Sequence, residues 1–303
     1  MRVLVTGASG FAGAPVIQRL ADAGHAVTAG VRQAHERPRA AASTVIMPDL
    51  ALPFDARPLV TECDAVVHLA GLAHASALIP EATYQAINCE AAYRLAVASR
   101  DAGVKRFVFV SSVRAMTGPS AVGIVTEERP ASPSDAYGRS KLAAERAVAE
   151  GLAGSATDFV ILRPVLMFGP GSKGNMAALM RLARTPWPLP LAGFGGRRSL
   201  LNVENFADSI AHTLTSPAAA GGTFLVADAG PGLTVGEIVA AMRAGLGKPP
   251  RLLHIPLPGA AVALRVVGKA DLAARLFGDL TVSGAALSAT GWTPPVSTEA
   301  GLA

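Results

Sequence analysis

From the first residues to about Arg163 the chain alternates short β-branched runs with longer stretches rich in Ala, Leu and Arg. The short runs predict strands at Val3–Thr6, Ala26–Val31, Thr44–Met47, Ala65–Leu69, Arg106–Ser111 and Asp158–Leu162. They do not alternate apolar with polar positions, which is expected when helices cover both faces of a parallel sheet. The longer stretches predict helices at Phe11–Ala23, Pro80–Ala102 and Ser134–Glu150. Gly24 and Gly103 stand where a left-handed C-terminal cap uses glycine. After Arg163 the texture changes. Gly169-Pro170-Gly171, Pro186–Pro190 and Gly193–Gly196 are loop-rich interruptions, followed by a strand at Ser199–Val203, a helix at Glu204–Thr215, a strand at Thr223–Val226 and a helix at Thr234–Leu246. The expected organisation is a first unit over 1–165 and a smaller portion over 166–303, with about 200–228 returning to the first unit.

Composition narrows this picture. With 303 residues, 50% apolar and 16% charged, the chain suits one large globular unit or two associated domains, and disorder is excluded. Two unclustered cysteines, Cys63 and Cys89, make neither a disulfide scaffold nor a metal framework, and they point to a reducing compartment. Arginine supplies most of the net charge of +5. No basic run with interleaved aromatics accompanies it, so nucleic acid is not an expected partner, although single arginines can meet phosphates on a small ligand. No leader precedes the first strand, and no apolar run approaches the roughly 20 residues of a membrane span. A cytoplasmic protein is expected. His68 and His74 flank an apolar segment without a carboxylate or Cys cluster, so they are expected in the core or a pocket wall, and no metal site is expected.

Between the first strand and the first helix stands Thr6-Gly7-Ala8-Ser9-Gly10-Phe11-Ala12-Gly13. A sharp turn, close approach of backbone to a diphosphate, and tight seating of helix on strand all call for glycine there. The helix N-terminus adds N–H groups for the anion. The spacing is G-x-x-G-x-x-G rather than G-x-G-x-x-G, but the strand-before, helix-after context favours a dinucleotide loop over an ordinary turn. The fold class expected is α/β, a Rossmann-type doubly wound parallel sheet. The second strand ends Ala29-Gly30-Val31-Arg32 without an acid. An acid there would bind the adenosine ribose of NAD, whereas an arginine would meet the extra phosphate of NADP. Arg32 therefore tilts the cofactor toward NADP(H), with NAD(H) as the alternative; a solvated surface arginine is the plain reading.

Tyr137 has Lys141 four residues later, on the same helical face. An ammonium beside a phenol favours phenolate, which would bring the phenol down from about 10 and make it a workable acid or base. Upstream, the strand Arg106–Val110 runs into Ser111-Ser112, hydroxyls at the ligand-binding edge of a parallel sheet.

Together these residues resemble the extended short-chain dehydrogenase/reductase family, in particular its NAD-dependent epimerase/dehydratase group acting on nucleotide sugars. The resemblance covers nearly the whole chain. It implies a cofactor loop at Gly7, Gly10, Phe11 and Ala12, a catalytic pair Tyr137 and Lys141, and a substrate-orienting Ser112, which lies 25 residues before Tyr137. Asp49-Leu50 resembles the pair that caps adenine, and Leu69-Ala70-Gly71 the strand end passing under the cofactor. Pro164 belongs to the segment flanking the nicotinamide. His74, Asn88, Asn175 and Arg198 are implied on the substrate side, with Arg198 at its diphosphate. Gly291-Trp292-Thr293-Pro294 is similar to the closing motif. Two departures stand out: the missing acid at Val31, and the lack of a further C-terminal Arg-x-x-Asp segment.

The resemblance implies hydride chemistry at C4 of a nucleotide-diphosphate sugar, UDP-linked, in a homodimer. A 4-keto-sugar reductase using NADPH is favoured over a 4-epimerase with retained NAD. Dehydration ranks lower, because no Asp-Glu follows Ser112. A non-catalytic NADP(H) sensor is the rival of another class. Residues 257–278, with Arg265, Lys269 and Arg275, read as a packing helix before a membrane-facing surface.

Overall fold

The protein's structure, a computed structural model, describes residues 1–73, 78–254, 262, 266–268 and 270–303. His74, Arg265 and Lys269 lie outside the described residues, as does most of the 257–269 stretch. In chain order the strands are β1 (Arg2–Thr6), β2 (Ala26–Val31), β3 (Ser43–Ile46), β4 (Ala65–His68), β5 (Arg106–Val110), β6 (Ile124–Val125), β7 (Asp158–Pro164), β8 (Leu166–Phe168), β9 (Leu200–Asn202), β10 (Thr223–Val226) and β11 (Thr281–Val282). The helices that matter here are α1 (Gly13–Asp22), α2 (Arg57–Val60), α3 (Glu81–Tyr84), α4 (Ala91–Asp101), α5 (Ala136–Gly151), α6 (Gly174–Arg184), α7 (Val203–Thr215) and α8 (Val235–Gly245).

Seven strands form one parallel sheet in the order β10-β7-β5-β4-β1-β2-β3. The first strand explains why the sequence shows no alternation. Val3 and Val5 pack with Val16, Ile17 and Leu20 of α1 and Phe206 and Ile210 of α7. Leu4, between them, packs on the opposite face with Val66, Leu95 and Ala96 of α4, and Ala144 and Val148 of α5. Both faces are buried, so both must be apolar. The chain runs outward from β1 to β2 and β3, then returns to β4 on the other side of β1. At that reversal the connections leave in opposite directions and open a crevice beyond the strand ends, the place where open α/β sheets bind ligands.

Several expectations shift. The helix expected over Pro80–Ala102 is interrupted: Gln85–Glu90 forms a π-helical stretch between α3 and α4. Periodicity cannot register the extra residue of such a turn. Gly24 and Gly103 do adopt left-handed backbone, with φ of +80° and +69°. Downstream, α6 occupies the stretch between the Gly169–Gly171 and Pro186–Pro190 interruptions, where no element is expected. The strand expected at 199–203 is β9, and it pairs with β8 in a separate two-stranded sheet instead of joining the main one. β10 extends the main sheet beside β7. Phe168, Met176, Ala183, Leu200, Ile238, Val239 and Met242 form a third cluster of their own. Among the described residues, no helix is long and apolar enough to cross a membrane.

Candidate active site

The glycine loop lies over the reversal point, and space decides its residues. Gly7 has φ of +71°, and a Cβ there would sit 2.8 Å from the backbone nitrogen of Ala70. At Gly13 a Cβ would come within 2.2 Å of the Ala8 carbonyl oxygen. Both contacts are backbone on backbone, so neither can relax by turning a side chain. Ala12 precedes α1 without a side-chain cap, which leaves first-turn N–H groups available to an anion. Thr6 Oγ1 accepts the Ala70 N–H at 3.2 Å and lies 2.7 Å from His68 Nδ1, tying the ends of β1 and β4 together. His68 is buried and neutral, pushed down to about 3 by burial and then by the Lys141 charge. Its Nε2 has no hydrogen-bond partner among the described residues. Leu69 and Ala70 are half-buried, and Gly71 follows exposed. Glycine at position 7 lets the loop close on the Leu69–Ala70 backbone, and that turn, leading into an α1 with no side-chain cap, fits a dinucleotide.

Arg32 extends from the end of β2 with its side chain 83% exposed. The sequence reading missed its neighbour Glu36. A short 3-10 turn over Ala34–Glu36 carries this acid back to the strand end, where Glu36 Oε2 accepts N–H groups from Arg32 at 3.2 Å and Gln33 at 3.3 Å. The Ser9 hydroxyl of the glycine loop also favours its charge. Burial opposes the charge, yet the Gln33 and Arg32 amides, Ser9 and Arg32 together hold the carboxyl below its usual range. An acid thus does stand at the end of β2, supplied from five residues beyond Val31. Farther along the same edge, Asp49 is exposed, its Oδ1 accepting the Ala51 N–H at 2.9 Å, and Leu50 packs on the core.

Tyr137 lies in the first turn of α5. Asp135 caps that turn by accepting the Gly138 N–H at 2.7 Å, and Arg114 pairs with the same carboxylate. Glycine at 138 lets the backbone of Arg114 close on the helix, where a Cβ would meet its carbonyl oxygen at 2.3 Å. That close approach brings Ser112 to Tyr137, where its hydroxyl favours the phenolate. Ser112 Oγ also accepts the Arg114 N–H at 3.1 Å. Ser111 turns the other way, to Glu145.

Lys141 is buried, its Nζ donating to the Val110 carbonyl at 2.8 Å and lying 5.0 Å above the Phe109 ring. Burial pushes it down to about 8, against the opposing pull of Glu145. The expected depression of the phenol is reversed here. Tyr137 is pushed above the usual tyrosine value, chiefly by burial, with the Ser112 hydroxyl working the other way. Pro164, the last residue of β7, is buried.

The substrate-side residues separate. Asn88 sits in the π-helical stretch with its amide fully engaged: Oδ1 accepts the Leu72 N–H at 2.7 Å, and Nδ2 donates to Leu72 O at 3.3 Å and Ser140 Oγ at 3.0 Å. It fixes the Gly71–Leu72 backbone beside Lys141. Asn175 is exposed in the first turn of α6. Arg198, expected at a diphosphate, instead directs its guanidinium to the carbonyls of Arg275, Pro119, Ala274 and Gly278. It caps the C-terminal end of the helix Ala270–Phe277, and burial, then Arg275 and Arg114, push it down to about 10. A groove of about 480 Å³ lined by Arg19, His25, His212 and Trp292 opens elsewhere, at the edge where β2 begins.

Comparison with known proteins identifies the family and the fold. The sequence model of the NAD dependent epimerase/dehydratase family matches residues 3–227. The chain is 32% identical over 309 residues to a UDP-glucose 4-epimerase of Vibrio cholerae, covering 99% of this chain and 93% of that protein. Among solved structures, MoeE5 in complex with UDP-glucuronic acid and NAD superposes with a TM-score of 0.77 at 25% identity, covering 100% of this chain and 96% of that one. The human epimerase family protein SDR39U1 with NADPH superposes with a TM-score of 0.73 at 25% identity, covering 100% and 98%.

Proposed function

Since the chain belongs to the NAD dependent epimerase/dehydratase family of extended short-chain dehydrogenases/reductases, we propose that it inverts C4 of a UDP-linked hexose with a retained NAD. The observation that carries this reading is the packing of the first turn of α5 on the Ser112–Arg114 backbone, which sets Tyr137 beside Ser112, one helical turn from the buried Lys141 on the Val110 carbonyl. Bound over the glycine loop, a nicotinamide would take hydride from C4 and return it to the other face.

The chain's own residues handle the proton and the geometry. Ser112 orients the 4-oxygen, and Tyr137 exchanges a proton with it. With its phenol pushed up, Tyr137 rests protonated at neutral pH and is ready as a donor. Acting as base requires a nearby positive charge to support phenolate, which is the role assigned to Lys141; below about 8 it is predominantly cationic. Gly7, Gly10, Phe11 and Ala12 would receive the diphosphate, and Pro164 would border the nicotinamide. Leu69, Ala70 and Gly71 would floor the ring side, while Asp49 and Leu50 would border the adenine. Asn175 is left for the sugar nucleotide, and Asn88 acts by holding Gly71 and Leu72.

Cofactor choice turns on Glu36. Its carboxylate already fills the corner where an additional phosphate would press, and like charges there disfavour NADPH. This reverses the tilt read from Arg32, and it favours an epimerase over a reductase that consumes NADPH. A 4-keto-sugar reductase is the second reading, favoured by the exposed Arg32.

Tyr137→Phe tests the assignment. Turnover of UDP-hexose C4 epimers is expected to fall by on the order of 10²–10⁴ while NAD remains bound. Unchanged turnover, or NADP(H) as the nucleotide carried through purification, would contradict it.

A further inference from the structure

One buried charged group beside Lys141 has no part in the roles above. Glu145 lies one turn after Lys141 on α5 and is only 4% exposed. Its Oε1 accepts the Ser111 hydroxyl at 2.5 Å and Arg163 Nε at 2.9 Å, while Oε2 accepts Arg163 Nη2 at 2.6 Å. Ser111 directly follows β5, and Arg163 belongs to β7. The carboxylate therefore ties the helix to two adjacent strands. Val110, whose carbonyl receives Lys141, is the residue before Ser111. Val110, which ends β5, and Ser111 directly after it thus hold two successive turns of α5.

The surroundings of the ammonium can be named element by element. α5 offers Tyr137 and Glu145; β4 offers His68, which is neutral. β5 offers the Val110 carbonyl and the face of Phe109, the π-helical stretch offers the uncharged Asn88, and β7 offers Arg163 behind Glu145. Burial alone favours loss of the lysine proton, and the charge acting against that loss is Glu145.

We propose that Glu145, braced by Arg163 and Ser111, is the positioning residue that keeps Lys141 seated on the Val110 carbonyl. This rests on the reading of Lys141 as the cation supporting Tyr137. Arg163 contributes by fixing the carboxylate in place and by keeping it ionised through a bidentate pair. A carboxylate so held is not free to follow the ammonium, so Lys141 stays directed at Val110 instead of turning toward Glu145.

The test reads the lysine itself. With five lysines in the chain, Cε-labelled protein gives few resonances, and Lys141→Arg identifies the one that matters. Wild type, Glu145→Gln and the double variant Glu145→Gln/Arg163→Met are titrated by NMR, and the alkaline limb of their kcat profiles is measured. The double variant is included because Gln alone leaves Arg163 buried without an anion. In Glu145→Gln the Lys141 midpoint is expected to fall by about one pH unit, with the double variant between it and wild type. The alkaline limb of kcat should move down with it. An unmoved Lys141 midpoint in a folded variant overturns the proposal and leaves Glu145 as a brace only; should the single variant not fold, the double variant alone decides. A shifted lysine in a protein that turns over no nucleotide sugar, wild type included, would refute the proposed function while supporting this inference.

Discussion

Asp135 caps α5 and is pinned by Arg114, and that cap sets which way the phenol of Tyr137 faces. The i, i+4 spacing made Tyr137 and Lys141 readable as a pair from sequence, since both fall on one face of any helix. The direction of the phenol's shift was not readable. It depends first on burial, and Tyr84 of α3, whose ring lies 6.3 Å from that of Tyr137, comes from outside the local sequence around Tyr137. Glu36 escaped for a related reason. The strand-end rule looks at Val31 and Arg32, whereas the acid arrives through a short turn whose Gln33 and Glu36 form a capping box. Glu36→Gln makes this concrete. The ratio of NADPH to NADH dissociation constants should fall about tenfold, on the order of 1.4 kcal/mol. A ratio that stays put by titration of both nucleotides would remove Glu36 from the discrimination.

Among the elements, the central strands were legible because burial on both faces leaves uninterrupted apolar runs; Leu4 and its neighbours Val3 and Val5 serve opposite cores. The glycine loop was legible for a steric reason that the structure makes explicit. At Gly7 a side chain would meet both a left-handed backbone and the Ala70 nitrogen. Gly7→Ala is therefore expected to lose about 1–3 kcal/mol in urea unfolding and to weaken dinucleotide binding; a variant as stable as wild type would show that the loop adjusts. Less was visible where pairing is distant or periodicity breaks. β8 and β9 are each three residues long and find each other across 166–202. The π-helical turn at Asn88 leaves the helical pattern recognisable on either side, and α6 begins behind Gly174 in a stretch rich in breakers.

Across the whole molecule, strand order places the chemistry. The reversal at β1 and β4 brings the glycine loop, the Thr6–His68 tie and the Gly71 backbone to one edge, and β5 and α5 deliver Ser112, Tyr137 and Lys141 to the same edge. The portion beyond β7 is held to this frame in part by Arg198, which caps the helix Ala270–Phe277 and reaches Pro119. Its placement explains why a family-like arginine can be recognised in sequence yet serve the fold in this structure. The chemistry assigned to the edge predicts a distinctive fate for one hydrogen. A UDP-hexose carrying deuterium at C4 should yield its C4 epimer with the label still on C4, because the hydride leaves and returns within one site, and Tyr137→Phe should suppress both the epimer and the label transfer. Failure of the wild-type protein to form the epimer, or loss of the deuterium to solvent during its formation, would contradict the account.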